Sequence, residues 1–365
     1  MKQHTILIDA TDAYDPNRRG IGVQMQAWLE AADFSDFPEV DWLIARQHRP
    51  QNATVTLHGK NVRLIEAPKM AATLESYIDY LHSLNPDVIF TPFADKAHYR
   101  KSSAKQISID YGMEDFYWRE YVPPRPVDTI LASHAFALQK YDGIVTVSKT
   151  SQKDLSWFFP EYKEKLQVVY PNAQEVTGAT EPLPTTLEGT RYLVLVGYEL
   201  KKNILRVASA FDHFKQQTDS DCKLVIIGKP GYGAEQLDTH ILGLAHNNDI
   251  VRLGYVSDAQ KQAVLKHCHA VLALSLYEGF GISALEGLIA DKPVLVSNNG
   301  SLKEVVGKAG YLADPFSIHS MATQFGRVDK LLDNPKKRYY AERIAAFSAS
   351  CEANKLLRYL AKIAD

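Results

Sequence analysis

A chain of 365 residues is too long for one ordinary hydrophobic core and suits two domains of about 150 to 200 residues each. Hydrophobic residues make up 45% and charged residues 23% of it, ordinary values for a soluble globular protein, which excludes a predominantly disordered or fibrous chain. A formal net charge of −2 excludes wholesale nucleic-acid binding, because that needs a basic face to neutralise phosphates.

From the start, short apolar runs alternate with helix-length amphipathic stretches. Thr5 to Asp9 reads as a strand, Gly20 to Ala32 as a glycine turn entering a helix, Val40 to Ala45 as a strand and Leu74 to Leu84 as a helix. The strands Val88-Ile89-Phe90, Gln106 to Ile109 and Gly143 to Val147 follow, the last leading into a helix that Ser148 or Ser151 can cap. Over 173–190 the composition turns to Thr, Glu, Pro and Gly without periodicity, which is how a linker reads. A second series begins with Tyr192 to Val196 and continues through Leu224 to Ile227, Ile250 to Leu253, Ala270 to Leu274 and Pro293 to Val296, with helices between them. The alternation predicts an α/β chain with two Rossmann-like, doubly wound parallel sheets, one in residues 1–172 and one in 191–337. Ligands of such folds bind in a cleft at the carboxyl ends of the strands. Residues 338–365 read as helical, with Leu356, Leu357, Leu360 and Ile363 at spacings of 3 and 4 that would pack on a domain.

Three cysteines, Cys222, Cys268 and Cys351, are an odd number without metal-ligand spacing, which argues against a disulfide framework or a zinc site and for a reducing cytoplasm. The chain runs directly into Ile6-Leu7-Ile8 without a signal-peptide core and has no run long enough to cross a bilayer, so membrane contact is expected to be peripheral. Basic clusters at Arg18-Arg19, Arg100-Lys101 and Lys336-Lys337-Arg338 read as solvated faces; Lys201-Lys202 has a context that points elsewhere.

The segment Glu278-Gly279-Phe280-Gly281-Ile282-Ser283-Ala284-Leu285-Glu286 frames an aromatic with two glycines and two carboxylates eight residues apart, where a loop becomes a helix. Glycines let backbone N–H groups approach a ligand, and a helix start presents unpaired N–H groups suited to a diphosphate. Ser283 is placed to cap that helix.

Other motifs join this one: Val196-Gly197 with Lys202-Asn203, Ile227-Gly228-Lys229-Pro230-Gly231, Leu253-Gly254-Tyr255-Val256-Ser257, and Lys292-Pro293-Val294. Taken in order, they resemble the successive signatures of the GT-B glycosyltransferases of family 4, strongly over about residues 190 to 315 and weakly over the first 175. The resemblance implies two Rossmann-like domains facing across a cleft, with the C-terminal helix packing back on the first. It also implies a nucleotide-sugar donor and retention of anomeric configuration. Glu278 would lie near the transferred sugar, backbone groups of Gly279, Phe280 and Gly281 would contact its hydroxyls, Ile282 would belong to the donor site, and Glu286 would hold the ribose. Gly197, Lys201, Lys202, Gly228 and Tyr255 would complete the donor site in the second domain, with Lys202 on the diphosphate. Arg19-Gly20-Ile21-Gly22 resembles the family's first-domain glycine turn, with Gly20 and Gly22 approaching the donor phosphates.

The chain departs from the pattern at several positions. Tyr198 stands where the family commonly has an arginine, and Ile109 where it usually has the histidine of a His-Asp pair, leaving Asp110 as the acceptor-side candidate for a catalytic role beside Glu278 and Lys202. Ser283 replaces a usual proline, Asp291 a usual glycine, and Ala173 follows Asn172 where glycine is favoured. His98, His134, His267 and His269 have no partner legible in the sequence. No cofactor or metal is expected, since lysine and helix dipole can neutralise the diphosphate and no Asp-x-Asp is present.

The expected reaction is transfer of a hexose, with GDP-mannose favoured over UDP- or dTDP-sugars, to a glycan or lipid-linked acceptor in bacterial surface polysaccharide synthesis. Arg100, Lys101, Lys105, Trp118 and Arg119 would offer a basic and aromatic surface to the inner membrane face. One alternative is a nucleotide-sugar-binding relative without turnover, acting as a regulatory or partner subunit. Another, an NAD-dependent dehydrogenase, needs a third glycine where Met25 stands.

Overall fold

The computed structural model describes residues 3–16, 20–48, 52–173, 181–331 and 333–365. Arg18, Arg19 and residues 174–180 of the expected linker lie outside them. The chain divides into two compact units: 1–113 with 126–172 and 347–365, and 114–125 with 173–346. The division differs from expectation in two places. Residues 114–125 belong to the second unit, and the C-terminal crossing falls at Ala346 and Phe347 rather than at 337 and 338.

The first unit is built on seven parallel strands: β1 (His4–Asp9), β2 (Val40–Arg46), β3 (Val62–Glu66), β4 (Val88–Thr91), β5 (Lys105–Asp110), β6 (Gly143–Thr146) and β7 (Leu166–Val168). Their order is β3-β2-β1-β4-β5-β6-β7, so the chain winds outward in both directions from β1 and β4. Ile6, Leu7 and Ile8 of β1 are all buried, because a parallel sheet is covered on both faces. One covering layer packs Tyr77, Ile78 and Leu81 of the helix Leu74–Ser83 against Leu7, Leu43 and Ile89. The C-terminal helix Ala349–Ala364 returns to this unit and packs against the helix Ile21–Ala31 and β1, burying Leu356, Leu357 and Leu360. Ser148 caps the helix after β6, its Oγ accepting from the Ser151 N–H at 3.0 Å.

The second unit has six parallel strands: β8 (Tyr192–Tyr198), β9 (Lys223–Pro230), β10 (Ile250–Gly254), β11 (Ala270–Ala273), β12 (Val294–Ser297) and β13 (Tyr311–Ala313). Their order is β10-β9-β8-β11-β12-β13. The reversal at β8 and β11 makes the carboxyl ends of these two strands the switch point where such sheets hold ligands. Its core packs Phe211, Phe214 and Phe325 over Leu193, Leu195 and Leu224; truncating one such phenylalanine to alanine costs about 3–5 kcal/mol. Among the described residues no helix is long and apolar enough to cross a membrane.

Candidate functional site

β8 ends at Gly197-Tyr198 and passes through a 3-10 turn, Leu200–Lys202, into the helix Ile204–Gln216. Gly197 has φ +108, and a Cβ there would sit 2.9 Å from both Cε and Cγ of Lys202. Only glycine therefore lets the Lys202 stem lie across the strand end. Asn203 joins turn to helix in the left-handed region at φ 61. Its Nδ2 donates to the carbonyls of Leu274 (3.1 Å) and Pro315 (2.8 Å), tying the turn to the loop after β11.

That loop carries Glu278. Its Oε1 accepts from Lys202 Nζ at 2.7 Å and from Ser275 Oγ at 2.6 Å. Ser297, Asn299 and Ser301, at and just after the end of β12, donate to the carbonyls of Ser275 (2.7 Å), Leu276 (2.9 Å) and Glu278 (2.5 Å). A loop with three carbonyls satisfied in this way holds its carboxylate in place without a ligand.

Burial works against charge on both members of the pair, and the pairing overrides it. Burial alone would push the Glu278 carboxyl up, yet the Lys202 ammonium, the hydrogen bonds from Lys202 and Ser275 and the nearby Lys201 hold it below the usual carboxylate range. Lys202 is likewise held above the ordinary lysine value against its burial by Glu278, with Glu199 and Glu114 adding to the effect.

Gly281, at φ 104, begins the helix Ile282–Ile289. A Cβ at this position would meet Leu302 Cδ2 at 2.5 Å, so the turn into the helix requires glycine twice over, for φ and for space. Ser283 does not cap this helix as expected; the N-cap is Gly281, two residues earlier, and there is no side-chain cap. Glu286, one turn in, accepts from Lys261 Nζ at 2.7 Å. Lys261, on the helix Asp258–His267, is held above its ordinary value despite burial by Glu286 and Asp258.

Other expected positions fall nearby. Gly228 is at φ +142, where a Cβ would lie 3.0 Å from the Tyr198 nitrogen, so β8 and β9 approach closely beside the Lys202 turn. Tyr255 is exposed, with Lys229 Nζ 4.5 Å from its ring centre. Tyr198 turns away: its hydroxyl donates to Asp238 at 2.5 Å, and Arg252 binds the same carboxylate. Lys201 Nζ lies 3.4 Å from Glu114 and 3.7 Å from Glu199.

In the first unit, Gly20 at φ 36 is the N-cap of the helix Ile21–Ala31, and Gly22 is buried in its first turn. Asp110, at the end of β5, accepts from the Gly112 N–H at 2.8 Å, and His134 Nδ1 lies 2.6 Å from its other oxygen. The expectation that His134 lacks a partner is therefore corrected: a histidine 24 residues downstream, on the helix Val127–Lys140, meets the aspartate whose strand neighbour is Ile109. His98 pairs with Asp95 (2.7 Å), while His267 and His269 bind the carbonyls of Ala263 and Val328, both at 2.8 Å. The five residues expected to form a basic and aromatic membrane surface are divided between the units. Arg100 is bound to Asp79 and Lys105 to Asp142, whereas Trp118 of the second unit packs on Phe316 and Tyr121.

Sequence reasoning missed Lys261, Ser275, Ser301, Glu114 and His134. Only Ser275, three residues before Glu278, had a local signal. The other four meet their partners across 23 to 87 positions of the chain.

Two tandem, parallel doubly wound units are the architecture of the GT-B fold. The chain superposes on the crystal structure of Anabaena HepE in complex with UDP and glucose with a TM-score of 0.72 at 14% identity, covering 98% of this chain and 100% of that one. For a sucrose-phosphate synthase from Thermosynechococcus elongatus the TM-score is 0.68 at 15% identity, with 98% and 99% covered. Within that class, residues 185–346 match the family described as glycosyl transferases group 1, and the chain carries a domain of that family.

The chain is 29% identical over 172 residues to alpha-1,3/1,6-mannosyltransferase ALG2 of Dictyostelium discoideum, 42% of this chain and 41% of that protein. It is 25% identical over 268 residues to O-antigen chain mannosyltransferase B of Escherichia coli, 71% of this chain and 68% of that one. With the MMP alpha-(1->4)-mannosyltransferase of Mycolicibacterium hassiacum it shares 28% over 202 residues, 53% of this chain and 46% of that one. The matches thus span from under half to about two thirds of these relatives' lengths.

Proposed function

We propose that the protein is a retaining, metal-independent glycosyltransferase that moves a mannosyl group from GDP-mannose to a glycan or lipid-linked acceptor. The observation that carries this reading is the Lys202–Glu278 pair, fixed at the carboxyl ends of β8 and β11 beside the start of the helix at Gly281. A cation and an uncapped helix N-terminus at one spot suit a leaving diphosphate. The mannosyl preference is supported by the activities named for the relatives in three organisms.

In this reading Lys202 and the N–H groups at Ile282 and Ser283 neutralise charge on the departing diphosphate. Glu278 directs the transferred sugar, and Glu286, fixed by Lys261, takes the ribose hydroxyls. The acceptor hydroxyl attacks the anomeric carbon on the face from which the diphosphate leaves, and a diphosphate oxygen takes its proton, so no protein nucleophile is required. Asp110 with His134 supplies the acceptor-side polar groups of the first unit. Any membrane contact is peripheral, and the acceptor belongs to surface polysaccharide synthesis.

The test is a thermal-shift series with GDP, UDP, dTDP and their sugars, followed by transfer assays with and without EDTA. GDP and GDP-mannose should raise the melting temperature most, and transfer should survive the chelator and be lost in Glu278→Ala. If no nucleotide stabilises the protein at millimolar concentration, the donor-site reading is wrong.

A further inference from the structure

The segment 114–125 is fastened to the second unit at positions adjoining the donor-site side chains. The Tyr117 ring stacks on Tyr277, the residue before Glu278, with centres 5.6 Å apart. Trp118 lies on Phe316 at 5.4 Å, and the Tyr121 hydroxyl accepts from both terminal guanidinium nitrogens of Arg206 at 3.2 and 3.3 Å. Glu114, at the head of this strap, places its carboxylate 3.4 Å from Lys201 Nζ, next in sequence to Lys202.

Glu114, Glu199 and Glu278 thus surround Lys201 and Lys202, three carboxylates to two cations, at the spot assigned to a diphosphate. An anionic ligand arriving there meets more negative than positive charge unless one carboxylate gives way. Glu278 is fixed by Lys202, Ser275 and its clamped loop. Of the two carboxylates on Lys201, Glu114 at 3.4 Å lies nearer than Glu199 at 3.7 Å, and burial pushes its carboxyl up, so it is the one that holds the lysine while being weakly committed to its charge.

We propose that Glu114 is a positioning residue that holds Lys201 in the ligand-free protein and competes with the donor diphosphate for it, a proposal that rests on the donor-site reading. It sets discrimination between diphosphates and monophosphates, because the second phosphate is the group that reaches Lys201. The strap rings keep the carboxylate close enough to compete and allow it to withdraw by side-chain rotation alone.

Titration calorimetry with inorganic pyrophosphate, GDP and GMP on the full chain tests this in wild type, Glu114→Gln, Lys201→Met and the double variant. Glu114→Gln keeps the shape of the side chain and should tighten pyrophosphate and GDP about tenfold at low salt, with GMP nearly unchanged. Lys201→Met should weaken the two diphosphates, and Glu114→Gln should then have no further effect in its presence. A Glu114→Gln protein that melts like wild type and binds GDP no tighter overturns the proposal while leaving the donor site intact. Tightening that persists without Lys201 also overturns it. If neither pyrophosphate nor GDP binds wild type or Glu114→Gln, the donor-site reading fails and this proposal with it.

Discussion

Replacing Lys202 with methionine keeps the volume of the stem against Gly197 and removes only the charge that faces Glu278. Both side chains are mostly buried, 19% and 18% exposed, and their contact is 2.7 Å. Breaking a buried pair by removing one partner costs about 3–5 kcal/mol; the residual exposure argues for the lower end, about 3 kcal/mol. For a unit of this size each kcal/mol lowers the melting temperature by about 2–4 °C, so a fall of about 6–12 °C is expected near neutral pH.

The pH dependence follows from the sign of the Glu278 shift. In the native protein that carboxyl is held low, so its contribution is present above the unfolded carboxylate pKa and is lost as pH falls through the depressed folded value. Without Lys202 burial dominates and the carboxyl moves up, so its contribution is present below the unfolded pKa and is lost as pH rises through the raised one. The gap between wild type and Lys202→Met should therefore be widest near neutrality and should narrow as pH falls to about 4, closing only below the depressed folded value. The double variant Lys202→Met with Glu278→Gln should melt within about 1 kcal/mol of wild type, because an uncharged pair of similar volume carries no desolvated charge. Thermal melts at the two pH values decide the matter. A Lys202→Met protein as stable as wild type, or one equally destabilised at both pH values, refutes the argument.

Gly281→Ala should cost about 2–3 kcal/mol in urea melts, because φ 104 and a 2.5 Å approach to Leu302 add together, whereas Gly20→Ala, at φ 36 with nothing within 4 Å, should cost about 1 kcal/mol. Asn203→Gly relieves the φ of 61 but loses the bonds to Leu274 and Pro315, for about 1–3 kcal/mol; Asn203→Ala should be worse, since it loses the bonds and keeps the backbone strain. His134→Ala should lower kcat of transfer with little change in nucleotide affinity, which calorimetry and steady-state kinetics together can read; an equal loss in nucleotide binding would place His134 on the donor instead.

The central strands were legible because parallel strands buried on both faces are continuous apolar runs. Ile6-Leu7-Ile8 and Leu193-Val194-Leu195 admit no other short reading at their length. β3 was not legible, since Val62–Glu66 lies at the sheet edge, is half exposed and carries Arg63 and Glu66. β7 and β13 are three residues each, below the length at which a period can be counted. The C-terminal segment reads as one helix, yet it breaks before Ala349 and only then joins the first unit. At the break Ser348 leaves helical geometry with ψ 127, and the preceding Phe347 packs its ring edge-on against Tyr170 at 5.1 Å, a partner 177 positions away that no periodicity announces.

At the site, the glutamate pair and Lys202 were legible as chemistry, but their electrostatic state was not. Each expected donor-binding charge already has a counter-charge: Lys202 has Glu278, Glu286 has Lys261, and Lys201 has Glu114. The position where the family commonly carries an arginine is committed to the fold, because Tyr198 is buried and shares Asp238 with Arg252. In the donor site as proposed, the Lys201-Lys202 turn offers the cations to a diphosphate, with carboxylates as their resting partners. On that proposal, donor affinity is a difference between two sets of charge contacts. A carboxylate removed at position 114 should strengthen it, whereas a lysine removed at 201 or 202 should weaken it.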